Sequence, residues 1–447
     1  MKSPFLEGFS FFARNYEIFP CFYGEIRFGV VGIVKKWMSV LLALLLFFSG
    51  TGALAVEDRA SLRAAYRAIG GFDGDTPYDV SPQITAPYAA GSLSEAALED
   101  ALNYLNFLRR IAGLAPVRLS PIYDARCQHG AVLLAALDYA DHNAPQPADM
   151  DGDFYTSAHL ATASSNIARF NWMRPTILRE GVAYFVRDDG DANLSVLGHR
   201  RWALNPVMAE TGFGLANSET GMSYVVMYAH DLGSADAAWS EVCWPAGGAF
   251  PVELMHADLA WSVSLNPAIY DVAHSQIQAE LTEETLGLSF RFNCTDETGD
   301  GFCTVNSDGY GSGPCVIFRP DFSGADFTDY LQNQRWMVRV TGLRRWTGED
   351  AELEYQVEMC SLYAQEAASV EMSLLEAELK PGETLALTAA VVPSYADDLT
   401  VTWSSTDPSV AEVNEDGVVT ARAAGACKIV AATVNGRSDR CALTVAE

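Results

Sequence analysis

A histidine set between glycine and two arginines, in the run Leu197-Gly198-His199-Arg200-Arg201-Trp202, is the feature of this chain best suited to chemistry. A second histidine, His142, ends an apolar run and opens the loop Asn143-Ala144-Pro145-Gln146-Pro147. Two neutral imidazoles converging on a cleft can ligate zinc or another divalent metal and leave positions open for water or a carboxylate. The competing reading makes both histidines hydrogen-bonded structural groups that orient their loops. His159 rivals His142 for the first position.

The elements that must position these residues come from periodicity. Ser92 and Glu95 read as a capping box, and Leu98, Leu102 and Leu105 follow at helical spacing until Gly113. A second helix is expected over residues 121–140 and a third over residues 175–186, with proline at a tolerated first-turn position. Residues 211–215 and 223–228 read as strands separated by a Gly/Asn/Ser turn. Helices followed by a small antiparallel sheet predict an α/β sandwich over residues 92–235. Beyond Trp239 short strand-like runs alternate with turn residues, as at 260–265, 288–292, 315–318, 336–341 and 353–359, which predicts a β-sandwich over residues 236–363. Residues 364–369 form a linker, and runs at 385–389, 400–403 and 427–432 predict a further small β-sandwich over residues 370–447. Residues 56–91 read as a lead-in with a short helix over 59–69 and little core.

Two resemblances give these expectations sharper form. The stretch Asn103-Tyr104-Leu105-Asn106-Phe107-Leu108-Arg109, then Gly113-Leu114-Ala115-Pro116-Val117, then Gly198-His199-Arg200, Leu204-Asn205-Pro206 and Thr211-Gly212-Phe213-Gly214 resembles the CAP superfamily of secreted proteins. That resemblance implies a CAP-type α/β/α sandwich with a cleft formed by His142, His199, Ser165, Asn166 and Arg200, in which His142 and His199 would ligate zinc or another divalent metal and two glutamates often complete the site. The first glutamate position holds Ser165, whose hydroxyl cannot act as a general base near neutral pH. For the second, the sequence offers Glu180, Asp188, Asp189 and Asp191. Hydrolysis by metal-bound water wants such a base, so a binding protein is favoured over a metal-dependent hydrolase of peptide or envelope material. In the last segment, Leu379-Lys380-Pro381-Gly382-Glu383-Thr384, Val401-Thr402-Trp403-Ser404-Ser405 and Gly417-Val418-Val419-Thr420-Ala421 resemble a bacterial immunoglobulin-like group 2 domain. The implied role is that of a stalk or adhesion module.

Composition bounds the partners. The 447 residues carry a formal net charge of -28, which argues against nucleic acid and anionic membranes because clustered Lys and Arg are lacking. Lys35-Lys36-Trp37, the apolar stretch 40–48 and Ala53-Leu54-Ala55 read as a signal peptide, so residues 1–55 form a leader region and the mature chain starts at Val56. Translation is expected to start near Val34 or Met38. No stable membrane span is expected after cleavage, and the product is secreted or held at the cell surface. Its partner is an extracellular small ligand, peptide or surface glycan. Nine cysteines, eight without Cys21, are compatible with disulfides, and Cys294 with Cys303 and Cys427 with Cys441 are the favoured pairs.

Other chemistry is weakly signalled. No His-Glu-x-x-His helix is present, and Ser312 misses the Gly-x-Ser-x-Gly spacing. Asp149, Asp151 and Asp153 alternate as in a calcium loop, but its glycine and terminal glutamate are missing, so a solvated acidic loop is expected. Trp172 and Trp202 are read as core or groove, and Trp403 as packing. The fold class is therefore multidomain α+β.

Overall fold

A computed structural model describes residues 58–447 other than residues 191, 312 and 326. The expected leader, its cleavage before Val56, the alternative start sites, Cys21, Asp191 and Ser312 lie outside the described residues. Strands outnumber helices along the rest of the chain, and most of it is built as layered sheets.

Six helices precede or interleave with the first strands: α1 (Arg59–Ile69), α2 (Glu95–Ile111), α3 (Pro121–Leu137), α4 (Gly152–Ala163), α5 (Ile177–Arg187) and α6 (Gly198–Ala203). Helix α2 is capped by Ser94, whose side chain accepts from Ala97 N, and not by Ser92, which lies in a two-residue strand. Helix α3 stops at Leu137 because Asp138 turns left-handed, three residues short of the sequence expectation. Asp149, Asp151 and Asp153 are exposed, but the loop ends at Asp151, which caps the unexpected helix α4 by accepting from the backbone N–H groups of Asp153 and Phe154. Small residues that showed little periodicity hid that helix.

Strands β1 (Ser165–Phe170), β2 (Phe213–Asn217) and β3 (Ser223–Tyr228) form an antiparallel sheet in the order β1-β3-β2. Alternation sorts β3 between two faces. Val225 and Met227 join Leu105, Leu108, Val182 and Phe185 of α2 and α5 in one core. Tyr224 and Val226 join Cys127, Ala131 and Leu134 of α3 and Ala158 of α4 in another. The Thr211-Gly212-Phe213-Gly214 run needs its second glycine for this packing, because a Cβ on Gly214 would lie 2.1 Å from the Cys127 carbonyl oxygen.

The middle region packs a four-stranded sheet, ordered Gly301–Asn306, Cys315–Pro320, Trp261–Leu265 and Glu241–Trp244, against a six-stranded one. Their shared core holds Trp244, Trp261, Phe318 and Trp336 and is continuous with the core of α2 and α5. It also takes in Leu62, so α1 of the lead-in is a packed element that caps the same core. That corrects the expectation of little core there.

The C-terminal strands enclose their own core, built on Val419, Ile429, Ala431, Cys441 and Leu443, with Trp403 packed at its edge. The single strand expected at 385–389 is divided into Thr384–Ala386 and Ala389–Val392, which belong to different sheets. Polar links at Asp397 join this unit to the rest. Arg63 of α1 donates to Asp397 at 2.7 Å, Gln332 donates to Asp397, and the backbone N–H of Gln365 donates to Asp397 at 2.7 Å.

The expected disulfides are not formed: all eight described cysteines are buried free thiols. Cys427 and Cys441 sit on neighbouring strands but two residues out of register, Cys427 facing Leu443 and Ile429 facing Cys441. Bridging demands closely matched Cβ positions. Cys303 donates to Thr298 O at 3.4 Å and stays a core thiol beside Cys294.

Candidate functional site

The two histidines are held by different parts of the framework. His199 lies in the first turn of α6, and its Nδ1 meets Asp188 Oδ1 at 2.9 Å. Asp188 is the left-handed C-cap of α5 and is buried. It also accepts from the backbone N–H of Arg200 at 3.2 Å and from Asn193 Nδ2 at 2.9 Å. The carboxylate can only accept, so Nδ1 is the protonated nitrogen of His199 and Nε2 keeps its lone pair. The ring sits beside Phe185 and Tyr184, with the side chain 18% exposed. Of the three described acidic residues among those weighed from sequence, Asp188 reaches a histidine, whereas Glu180 binds Trp172 and Thr176 and Asp189 pairs with Arg187.

His142 is exposed, and its Nδ1 meets the Thr162 carbonyl at 2.8 Å. Its neighbour is a residue that sequence reading did not single out, His230, which follows β3. The His230 backbone N–H donates to Ser164 O at 3.3 Å. Its ring packs on Trp202 of α6 at 4.1 Å. Burial of the packed face, and then the nearby His142 imidazole, hold His230 below the ordinary imidazole range. The signal that could have found it was its place just past a strand aligned with Ser165, since Tyr228 pairs with Ser165. His159, the rival ligand, leans on Tyr155 within α4.

The remaining expected cleft residues are structural in their contacts. Ser165 is buried, with Oγ 3.8 Å from Cys127 Sγ. Asn166 is buried and its Nδ2 donates to the His199 carbonyl at 2.8 Å, tying β1 to α6. Arg200, expected to face the cleft, instead points into the protein at 1% exposure. It donates to Val186 O, Arg187 O, Ala260 O and Ser262 Oγ, the last two on the middle sheet region. Arg201 continues the joint, donating to Asn306 Oδ1 at 2.6 Å and to Gly313 O at 2.8 Å. The conspicuous Gly-His-Arg-Arg run thus gives one residue to the surface and two to a buried seam. Arg109 behaves likewise: it is fully buried and donates to Ala203 O and Asn205 O.

Among the described residues no three or more His, Cys, Asp or Glu side chains gather to hold a metal ion. A catalytic zinc centre takes three protein ligands, so the residues present do not fit one, and no hydrolytic step follows from them. The acidic side chains near 296–300 are used in turns: Asp296 accepts from Asn293 Nδ2 and Asp300 from Arg291 N. Among the described residues no helix is long and apolar enough to cross a membrane.

Comparison with known proteins bears on the C-terminal end. A bacterial Ig-like domain (group 2) family matches residues 366–445. Lacto-N-biosidase of Bifidobacterium bifidum is 48% identical over 69 residues, 15% of this chain and 6% of that protein. A 3-O-alpha-D-galactosyl-alpha-L-arabinofuranosidase of Bifidobacterium longum subsp. longum is 47% identical over 74 residues, 16% of this chain and 6% of that protein. The chain thus spans 6% of the length of these curated relatives. Among solved structures, the C-terminal 282-residue fragment of intimin is 12% identical with a TM-score of 0.14, over 42% of this chain and 57% of that one. Domains 4 and 5 of the S-layer protein SbsC are 13% identical with a TM-score of 0.19, over 38% of this chain and 99% of that one. At these scores the likeness assigns nothing further. The C-terminal residues 366–445 belong to the bacterial Ig-like group 2 family.

Proposed function

We propose that this chain is an extracellular or cell-surface bacterial binding protein, in which a CAP-type domain over residues 92–235 is presented by β-rich modules. The bacterial Ig-like domain carries this reading, since domains of this kind act as spacers and adhesion modules. Two features of the junctions support it. Arg200 and Arg201 seam the helical region to the middle sandwich, and Arg63 ties α1 to Asp397 of the Ig-like domain. A module held this firmly keeps a fixed orientation toward its partner. The order of the CAP-like motifs, with helices on both faces of a small antiparallel sheet, supports the assignment of the first domain.

The partner class is an extracellular small ligand, peptide or surface glycan. The acid surface implied by a charge of -28 disfavours polyanions. Protease added to intact cells of the source bacterium tests the location: the protein should be degraded or already be in the medium, and full protection inside the cells would refute it. Incubation of the purified protein with a peptide library and zinc tests the non-enzymatic part. Zinc-dependent turnover lost in His199→Ala would replace it with the hydrolase reading.

A further inference from the structure

We propose that the cavity between helix α1 and residues 362–364 binds a small ring-bearing carboxylate, held by the guanidinium of Arg67 against the ring of Tyr363. The cavity measures about 500 Å³, inside the range of roughly 300–1,000 Å³ usual for small-molecule sites. It lies where the lead-in helix meets the passage into the Ig-like domain, and domain junctions are preferred places for such sites. Ala60, Leu362, Ala364 and the rings of Tyr66 and Tyr363 give it a largely apolar wall. Tyr363 is 56% exposed, yet its ring is held in place. Its hydroxyl lies 3.2 Å from that of Tyr66, and the two rings meet edge to face at 5.9 Å. Tyr66 is itself packed on Phe107 at 5.4 Å. An exposed aromatic ring so fixed offers a flat apolar surface to a ligand ring. Within the hydroxyl pair one O–H donates to the other oxygen, so the second phenol keeps its proton for an outside acceptor.

Two arginines line the cavity and only one is committed to the protein. Arg63 donates from Nε to Ser361 O at 2.8 Å and from Nη2 to Asp397 at 2.7 Å. Arg67 is exposed and donates from Nε to Arg63 O at 3.2 Å. Among the described residues it forms no ion pair, which leaves both Nη groups for a ligand in a chain of net charge -28. A basic residue in the last turn of α1 also suits the helix dipole, but that role needs no aromatic cavity beside it. A guanidinium takes a carboxylate through two parallel hydrogen bonds. A neutral ring would leave Arg67 unmatched, a bare anion would leave the aromatic wall unused, and a polyanion is disfavoured by the acidic surface. A single carboxylate on a six-membered ring meets all three conditions, whether the ring is an aryl group or the hexuronate of a surface glycan. The site lies outside residues 92–235 and does not rest on the function proposed for them.

The test is calorimetry of the purified protein with phenylacetate and with glucuronate, set beside their uncharged counterparts phenylethanol and glucose. At least one acid should bind saturably while its counterpart does not, and the acid that binds identifies the source of the ring. Arg67→Gln should weaken that binding by about tenfold or more, the usual worth of a hydrogen-bonded charge, and Tyr363→Ala should weaken it comparably. Arg345→Gln, which removes the same charge from a hairpin of the middle sheets, should leave it unchanged. Ala60→Phe fills the cavity from the exposed first turn of α1 without removing a contact, and should abolish binding in a protein whose circular dichroism is intact. Saturating acid should also slow proteolysis at residues 363–366 a few-fold, because it bridges α1 to that segment. No saturable binding of either acid, equal binding of the uncharged counterparts, unchanged affinity in folded Arg67→Gln, Tyr363→Ala or Ala60→Phe, an equal loss in Arg345→Gln, or undiminished cleavage at saturation each overturns the proposal.

Discussion

Asp188 Oδ1 lies 2.9 Å from Nδ1 of His199, and the other oxygen of the same carboxylate takes the backbone N–H of Arg200. One buried acid therefore sets the tautomer of the surface histidine and fixes the start of the helix whose next residue is buried in the seam. Side chain and backbone of the signature run are oriented by the same group.

Removing that group strips the acceptor from three donors, on His199, Arg200 and Asn193. Asp188→Ala should cost about 2–3 kcal/mol, seen as a thermal midpoint lower by roughly 5–10 °C. An unchanged midpoint would show that water replaces the carboxylate without loss.

Arg200→Ala should be at least as severe, about 3 kcal/mol or more, because four buried acceptors lose a charged donor. Because α2, α5 and the middle sheets share one core, the wild type is expected to unfold these parts in one transition. In the variant, differential scanning calorimetry should resolve two transitions. One unshifted transition would mean that the seam contributes little.

Asp124 gives a pH signature. It is partly buried at the start of α3, and burial pushes its carboxyl up to about 6 against the help of a hydrogen bond from Phe213 N. A raised folded value means that the protonated form is favoured in the native state, so its contribution to stability is present at low pH and lost as pH rises through about 6. Asp124→Asn keeps an acceptor for Phe213 without the charge. Urea denaturation should show the variant gaining on the wild type from pH 4 to pH 8; a constant difference would remove the carboxylate as the cause.

The Arg63–Asp397 pair holds the Ig-like domain. Burial raises the Asp397 carboxyl, but hydrogen bonds from Arg63 and Gln365 outweigh it and leave the group below its ordinary value. A depressed value means that its stabilisation is present at neutral pH and lost as pH falls through the acid range. Arg63→Ala should speed proteolysis at residues 363–366, which are exposed or partly so, by a few-fold, in keeping with the ~1 kcal/mol ceiling for such pairs. Cleavage rates equal to wild type at neutral pH would discard the clamp.

Thiol chemistry checks the core. Burial pushes Cys127 and Cys243 up to about 12 and Cys360 up to about 11, so the native protein should resist alkylation at pH 8. After unfolding without reductant, mass spectrometry should find all eight described cysteines alkylated. A peptide linking Cys294 to Cys303 would show instead that oxidation joins them.

Local pattern alone was enough to outline much of this protein. Period-two runs such as 427–432 and the turn glycines around them mark the Ig-like domain, since strand alternation and turn chemistry are written into neighbouring residues. The spacing of Leu98, Leu102 and Leu105 marks α2 in the same way. Helix α4 escaped because its small residues carry no strong face, and the split at residues 384–392 escaped because one run feeds two sheets. The site was legible in its residue types and not in its geometry. His142 and His199 stand out in the chain, yet which nitrogen of each ring is held depends on Thr162 O and Asp188, and His230, just past the end of β3, is tied by its backbone to the same passage between α4 and β1. Arg200 looks like a cleft residue by its position beside His199, but its partners at Ala260 and Ser262 are 60 and 62 residues away. A helix turns successive side chains by about 100°, so adjacent residues of one motif face different environments, and what those environments contain is decided by contacts between segments that no local spacing records.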